Sequence, residues 1–328
     1  MHIKCEFILI DRTVFTLTFI SDCGILITKS SKLGGIPVTD DASSFALEFR
    51  LRELDEELHK RFTDCVFVLQ KILSNYKLIF PEFTDHTELH SITVVDFCRR
   101  LIGDALYRLN KSEIYVLLCG CYFHDTGMGI TEKDFETFSR QIDFGDYPAK
   151  HPNATRAEMI RDFHNEFSGL FIRKYAELFE FPSATHTNAV IQISRGHRKT
   201  DLMDDRIYPR ALEMPDGEKV CLPYLAALLR LADEIDVTAA RNPTLLYDLE
   251  TITDDRQLLE HKRHRAVRDL KIEKDAFVLL IDNSDPVITE KIAKMAEKMQ
   301  KTLDACLEAV NGRTPFEITQ REIRVRPI

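Results

Sequence analysis

The chain has 328 residues and a net charge of −9, from 44 Lys and Arg against 53 Asp and Glu. That length excludes a minimal module and suits one large domain or two to three small ones. A hydrophobic share of 44% beside 30% charged residues excludes a disordered chain, and the acid excess argues against a general nucleic-acid coat, which needs a basic face.

In chain order, residues 2–30 predict a β-meander. Ile3, Cys5, Phe7 and Leu9 alternate with other residues, Val14, Phe15, Leu17 and Phe19 follow, then Ile25–Ile27, with turn chemistry at Asp11-Arg12 and Ser21–Gly24. Residues 31–43, with Gly34-Gly35 and Pro37, read as a linker. Helical periodicity runs from about Ser44 to Tyr76, then over 86–109, 112–125, 154–181, 186–195 and 223–239. Asn153 is the expected N-cap of the 154–181 helix, Gly196 the expected stop after 186–195, and Pro223 a tolerated first-turn proline. Polar loops fill 140–153 and 198–220. After Pro243 the pattern changes to a basic helix over 254–267, a strand pair over 270–281, a long amphipathic helix over 287–310 and a further alternating stretch over 316–325.

The eight cysteines are scattered, mostly in apolar runs, with no CxxC pair. They read as buried thiols of a reducing compartment, neither a disulfide framework nor a zinc ribbon. Met1-His2-Ile3-Lys4 runs straight into strand-like alternation instead of a signal peptide, and no apolar run reaches membrane-spanning length. A soluble, cytoplasmic protein is the expectation.

The histidines are less evenly spread. Seven of eleven fall between His86 and His197. His90 lies near the start of its helix, His124-Asp125 closes the apolar run Val116–Phe123, His164 is mid-helix, His197 follows Gly196, and Asp233 ends the run Leu225–Ala232. An imidazole or carboxylate at the edge of an apolar helix must be solvated, paired or coordinated. A helical bundle can gather such groups at one point. Imidazole and carboxylate without thiolate suit Mn, Fe, Ni, Co or Zn in a catalytic setting better than a structural zinc.

Three strings carry a resemblance: Thr84-Asp85-His86-Thr87-Glu88-Leu89-His90-Ser91, Phe123-His124-Asp125-Thr126-Gly127-Met128-Gly129, and Leu231-Ala232-Asp233-Glu234-Ile235-Asp236. With His90, His124, Asp125 and Asp233 in the order H…HD…D, residues 80–245 resemble the HD-domain metal-dependent phosphohydrolase superfamily. His164 and His197 match the extra histidines of members with a bimetal centre. The TDHxxxHS and HDTGM strings are similar to an HD group of prokaryotic conflict systems, often associated with Hsp90-like ATPases.

The fold expected is mainly α: the resemblance implies an HD-domain helical bundle, bounded at 46–245, and the residue patterns add a β-meander over 1–45 and an α+β appendage over 246–328, neither of which carries a family motif. It implies one or two divalent cations per chain (Mn, Fe, Ni, Co or Zn, with Mg a further option), held by His90, His124, Asp125, His164, His197 and Asp233. It implies that Asp125 and His124 serve catalysis, and that a metal-activated water hydrolyses a nucleotide or cyclic-nucleotide phosphoester. The alternatives are an HD-type nuclease on single-stranded nucleic acid and a non-enzymatic sensor or scaffold. An Hsp90-like ATPase is the protein partner implied, homo-oligomerisation is open, and nucleic acid is disfavoured by charge.

Each residue has a plainer competing reading. His164 can be a satisfied core histidine between Phe163 and Phe167, and His197 an exposed residue after a helix stop. His86 shares a face with His90 as a substrate-side group, a cap neighbour or an exposed residue. Arg195, Arg198, Lys199 and Arg161 are candidate phosphate contacts, with Lys150 and Arg156 at the edge of the 140–153 loop. Glu158 and Glu166 can instead neutralise them. His151, His186, His261 and His264 are expected at the surface, and 261–265 as a solvated helix face or a partner strip.

Overall fold

The apolar run that ends in His124 becomes the central helix, α4 (Lys111–Phe123), in which every residue from Ser112 to Phe123 is buried. A helix apolar on all sides belongs in the interior of a bundle. Its start is fixed by a capping box: Asn110 accepts from the Glu113 N–H, and Glu113 accepts from the Asn110 N–H. In this computed structural model the described residues are 5–10, 13–20, 24–30, 46–73, 79–80, 88–238, 252 and 255–328.

Around α4 stand α1 (Ala46–Leu54), α2 (Glu56–Leu73), α3 (Glu88–Ile102), α6 (Arg156–Lys174), α7 (Ala184–Gly196) and α8 (Leu222–Ile235). A short α5 (Glu132–Ser139) and a single helical turn, Tyr147–Lys150, lie between α4 and α6. Helices α1, α2, α3, α7 and α8 pack on α4, while α6 packs on α7. A 3-10 turn, Thr126–Gly129, follows α4 and packs on α6.

The C-terminal part adds α9 (Asp255–Ala266), strands β6 (Val267–Ile272) and β7 (Ala276–Ile281), α10 (Pro286–Val310) and β8 (Glu322–Pro327). β6 pairs antiparallel with β7, and β8 pairs parallel with β7. The apolar stripe of α10, from Ile288 through Ile292, Met299 and Leu303 to Cys306, is buried, and α10 packs on α8. Tyr224 of α8 stacks on Phe316 at 4.3 Å between ring centroids. Residues 44–328 form one compact unit, and residues 1–43 form another. In the latter, β1 (Cys5–Ile10), β2 (Thr13–Ile20) and β3 (Gly24–Ser30) form an antiparallel meander with Phe7 opposite Thr16 and Leu17 opposite Ile27. A hairpin of β4 (Leu212–Glu213) and β5 (Lys219–Val220) interrupts the loop before α8.

The mainly α architecture with small β additions is as the sequence predicts. Several local expectations are corrected. The N-cap of α6 is Thr155, not Asn153: Thr155 and Glu158 form the capping box, a better pairing than Asn153 can make. Gly196 ends α7 without a left-handed backbone; a Cβ there would stand 2.8 Å from the Ala226 Cβ, so its role is close packing against α8. The first-turn position of Pro223 in α8 is as expected. Helix α5 was not foreseen, and α6 stops at Lys174, short of 181. The six described cysteines are free and buried, and burial pushes the Cys65 and Cys306 thiols up to about 12. Among the described residues no helix is long and apolar enough to cross a membrane.

Candidate metal centre

Four histidines converge because four different helices end or bend at the same place. His90 comes from the first turns of α3, His124 caps the C-terminus of α4, His164 lies in α6 and His197 caps α7. All four are buried. Helix α6 departs from helical geometry at Phe163 (φ −123°, ψ 16°), one residue before His164.

The outer nitrogen of each ring is already engaged. His124 Nδ1 donates to Cys121 O at 2.8 Å, His164 Nδ1 to Arg161 O at 2.7 Å, and His197 Nδ1 to Ser194 O. A carbonyl oxygen can only accept, so in these three rings Nδ1 carries a hydrogen and Nε2 is the nitrogen turned inward. His90 Nδ1 meets a carboxylate instead, Asp236 Oδ2 at 2.7 Å.

The inward nitrogens crowd together. His90 Nε2 is 3.2 Å from His124 Nε2, and His164 Nε2 is 2.9 Å from His197 Nε2. Two ring nitrogens this close share a proton when one ring is protonated, and a cation can take that proton's place. Asp125 faces both pairs: Oδ2 lies 3.3 Å from His124 Nε2 and 3.6 Å from His90 Nε2, and Oδ1 lies 3.3 Å from His164 Nε2 and 4.0 Å from His197 Nε2. Asp233, at the end of α8, places Oδ1 3.2 Å from His90 Nε2 and 3.9 Å from His124 Nε2. Two trios result, His90–His124–Asp233 and Asp125–His164–His197, each with its donor atoms within 4.8 Å of one another.

Burial alone would lower the His124 pKa, but Asp125 and Asp233 outweigh it and hold the ring up to about 9. Burial, then the neighbouring His124 and His164, push His197 well below its usual value. Asp233 is raised by burial but lowered further by its bond to His90 and by His124, and ends well below the carboxylate range. The donor chemistry fits divalent cations: imidazoles of fixed tautomer, anionic carboxylates and no thiolate.

The backbone beneath the cluster is tied down. Ser168 Oγ donates to His124 O at 2.6 Å and accepts from the Gly127 N–H at 2.8 Å. Gly127 is required there, since a Cβ would sit 2.2 Å from His164 O and 2.7 Å from Ser168 N. Buried Arg230 donates to Gly196 O and to Thr200 O, both at 2.7 Å, and so fixes the chain on either side of His197.

A cavity of about 780 Å³ opens on the cluster. Asp125, His164 and Asp233 line it, together with Arg161, Arg198, Glu158 and residues of α9 and α10. Of the expected phosphate contacts, Arg161 and Arg198 are therefore on this cavity. Arg195 and Lys199 line a neighbouring one of about 610 Å³ that shares Tyr147, His151 and Asp162 with the first. Arg195 is committed to Glu166 at 2.8 Å, the neutralisation weighed from the sequence. Arg156 pairs with Glu132 and Lys150 with Asp146. His86 lies outside the described residues.

His151 is exposed, as expected, but His186, His261 and His264 are buried, contrary to the surface placement. His186 packs edge-on to Tyr115 and its Nδ1 meets Ser183 Oγ, so a polar stretch hides a satisfied ring. In α9 only part of the 261–265 strip faces solvent: Lys262 and Arg265 are exposed, while His261 and His264 turn inward. Asp236 has no role in the sequence-based expectations, and its contact with His90 spans 146 residues.

A helical domain with an H…HD…D set at its centre is of the HD type. The HD-CE family model matches residues 80–315. The chain belongs to the HD-CE family. The match runs past 245, so α9, β6, β7 and α10 lie within the family's unit. No curated protein and no solved structure matches the chain.

Proposed function

We propose that the protein is a metal-dependent phosphohydrolase acting on a nucleotide or cyclic-nucleotide phosphoester. The observation that carries this reading is Asp125, whose two carboxylate oxygens face two separate histidine pairs. His90, His124, Asp125 and Asp233 would hold one cation, and Asp125, His164 and His197 a second. Bound there, divalent cations would polarise phosphate oxygens and lower the pKa of a water poised to attack phosphorus.

The chain's own residues supply the rest. Asp125 holds both halves of the centre in one frame, and the Nδ1 bonds keep each ring from rotating away. Arg198 has no carboxylate within ion-pair distance among the described residues, and its guanidinium is suited to pair with a phosphate oxygen. Burial of the histidines excludes bulk water from the donor side.

Charge favours a small substrate. Six carboxylates line the cavity (Asp125, Glu158, Asp162, Asp233, Glu234, Glu260) against four cations (Arg161, Arg198, Arg263, Lys298). Two divalent ions would turn this two-charge acid excess into a two-charge basic excess, which suits a phosphate dianion. A long nucleic-acid strand would meet the remaining acids.

The experiment is phosphate or nucleotide release from a panel of nucleoside monophosphates, cyclic nucleotides and single-stranded oligonucleotides, with Mn or Ni. Turnover of mononucleotides or cyclic nucleotides is expected. Cleavage of polymers alone would move the assignment to a nuclease, and no turnover of any phosphoester would move it to a sensor or scaffold.

A further inference from the structure

The cavity over the histidine cluster has a wall for which the metal chemistry has no use. Arg263 and His264 of α9, Met295 and Lys298 of α10, and Glu234 and Val237 at the end of α8 line it together with Asp125 and Asp233. A space of about 780 Å³ far exceeds the needs of a phosphate group and falls in the range of sites that enclose a whole small molecule. Something of the substrate beyond its phosphate has room to lie along α9 and α10.

The chemistry of this wall favours an aromatic ring over a second anionic group. Its cations are already neutralised: Arg263 pairs with Glu260, and Lys298 with Glu234 at 2.9 Å. A further phosphate would have to compete with those carboxylates and would be repelled by them. A guanidinium held by a carboxylate keeps its flat face, on which a heteroaromatic ring stacks. The Met295 thioether and the Val237 side chain add polarizable and apolar contact, and the His264 ring adds a further π-face. Arg198, without such a carboxylate partner among the described residues, is a cation suited to the phosphate.

We propose that α9 and α10 form a nucleobase subsite of the same cavity, with Arg263 and Met295 contacting the base of a substrate whose phosphate lies at the His/Asp cluster. This rests on the phosphohydrolase reading above and makes Arg263 and Met295 specificity-determining residues. It also gives the C-terminal helices a role within the family's unit.

The test is binding of the uncharged nucleosides adenosine, guanosine, cytidine and uridine, and of ribose 5-phosphate, to the full-length protein. Calorimetry or saturation-transfer NMR would compare wild type with Arg263→Ala and Met295→Ala, without added metal. At least one nucleoside should bind wild type, and each substitution should weaken it about tenfold, as loss of a stacking partner does. The wild-type preference for the matching nucleoside monophosphate over ribose 5-phosphate, measured as a ratio of kcat/KM with Mn, should collapse in both variants. Arg263→Lys keeps the charge but not the plane and should weaken nucleoside binding too, which covers the case that Arg263→Ala fails to fold.

Wild type that binds no nucleoside at millimolar concentration, or variants that bind as wild type does, would overturn the subsite. The nucleoside arm involves neither phosphate nor metal. Phosphoester hydrolysis without nucleoside binding therefore sinks the subsite alone, and nucleoside binding without hydrolysis of any phosphoester sinks the phosphohydrolase reading alone.

Discussion

His90 Nδ1 lies 2.7 Å from Asp236 Oδ2, and both side chains are buried. The same ring places Nε2 3.2 Å from Asp233 Oδ1, so one histidine joins two carboxylates three residues apart in the chain. Asp236 thereby fixes the ring's orientation while Asp233 shares its inward face. Such outer partners of metal-ligating histidines set metal affinity by about 10–100-fold. Asp236→Ala should weaken Mn binding by about that factor, read by calorimetric titration, and Asp236→Asn, which retains an acceptor oxygen, should fall between it and wild type. Wild-type affinity in Asp236→Ala would show that His90 needs no such support.

The two histidine trios predict a stoichiometry. Wild type in metal-replete buffer should hold two equivalents per chain by elemental analysis, and His164→Ala or His197→Ala should reduce this to about one. One equivalent in wild type would remove the role assigned to His164 and His197.

Gly127 has no room for a side chain. Gly127→Ala must displace His164 O, Ser168 N or the turn after His124, and overpacking of this kind costs about 1–3 kcal/mol. A lowered Tm with reduced metal content is expected. An unchanged Tm would mean that the turn relaxes freely.

Arg230→Met removes the donors that hold Gly196 O and Thr200 O around His197. Charged hydrogen bonds of this type contribute about 1.5–3 kcal/mol each, so chemical denaturation should show a clear loss of stability. Retention of wild-type stability would contradict the clamp.

Away from the centre, buried Asp134 meets Lys174, Thr131 and Tyr175. Burial raises its pKa, but the bonds to Lys174 and Thr131 outweigh that and the net shift is downward. A carboxyl with a folded-state pKa below its unfolded value stabilises the fold above the unfolded pKa, and this contribution disappears as pH falls through the folded value. Asp134→Asn should therefore lower stability at neutral pH, by about 1–3 kcal/mol for a broken buried polar contact, and the difference from wild type should shrink in acid. A difference constant between pH 7 and pH 2 would contradict it.

The ordered polar residues were legible because each interrupts an apolar helix, where an unpaired imidazole or carboxylate is costly. His90, His124, Asp125, His164, His197 and Asp233 lie together in the structure as two trios. Asp236 was not legible as a partner of His90, since their contact spans 146 residues and nothing local announces it. Local competition misled the capping assignment, where Thr155 with Glu158 outdoes Asn153. The inward turn of His261 and His264 was hidden by their charged neighbours, because burial there depends on where α9 packs against α10. For the same reason the place of α9 in the cavity wall is not legible from its own residues.

In the proposed function, the Asp125-centred cluster hydrolyses phosphoesters with metal. The decisive measurement is the initial rate of phosphate release from nucleoside monophosphates, and of nucleoside monophosphate formation from cyclic nucleotides, with Mn, in wild type and in Asp125→Ala of confirmed fold. Wild type should turn over, lose activity on chelation, and exceed the variant by at least about a hundredfold, the size of effect that follows loss of one strong electrostatic contact to a reacting group. Equal rates in wild type and Asp125→Ala, or rates untouched by chelation, would contradict it.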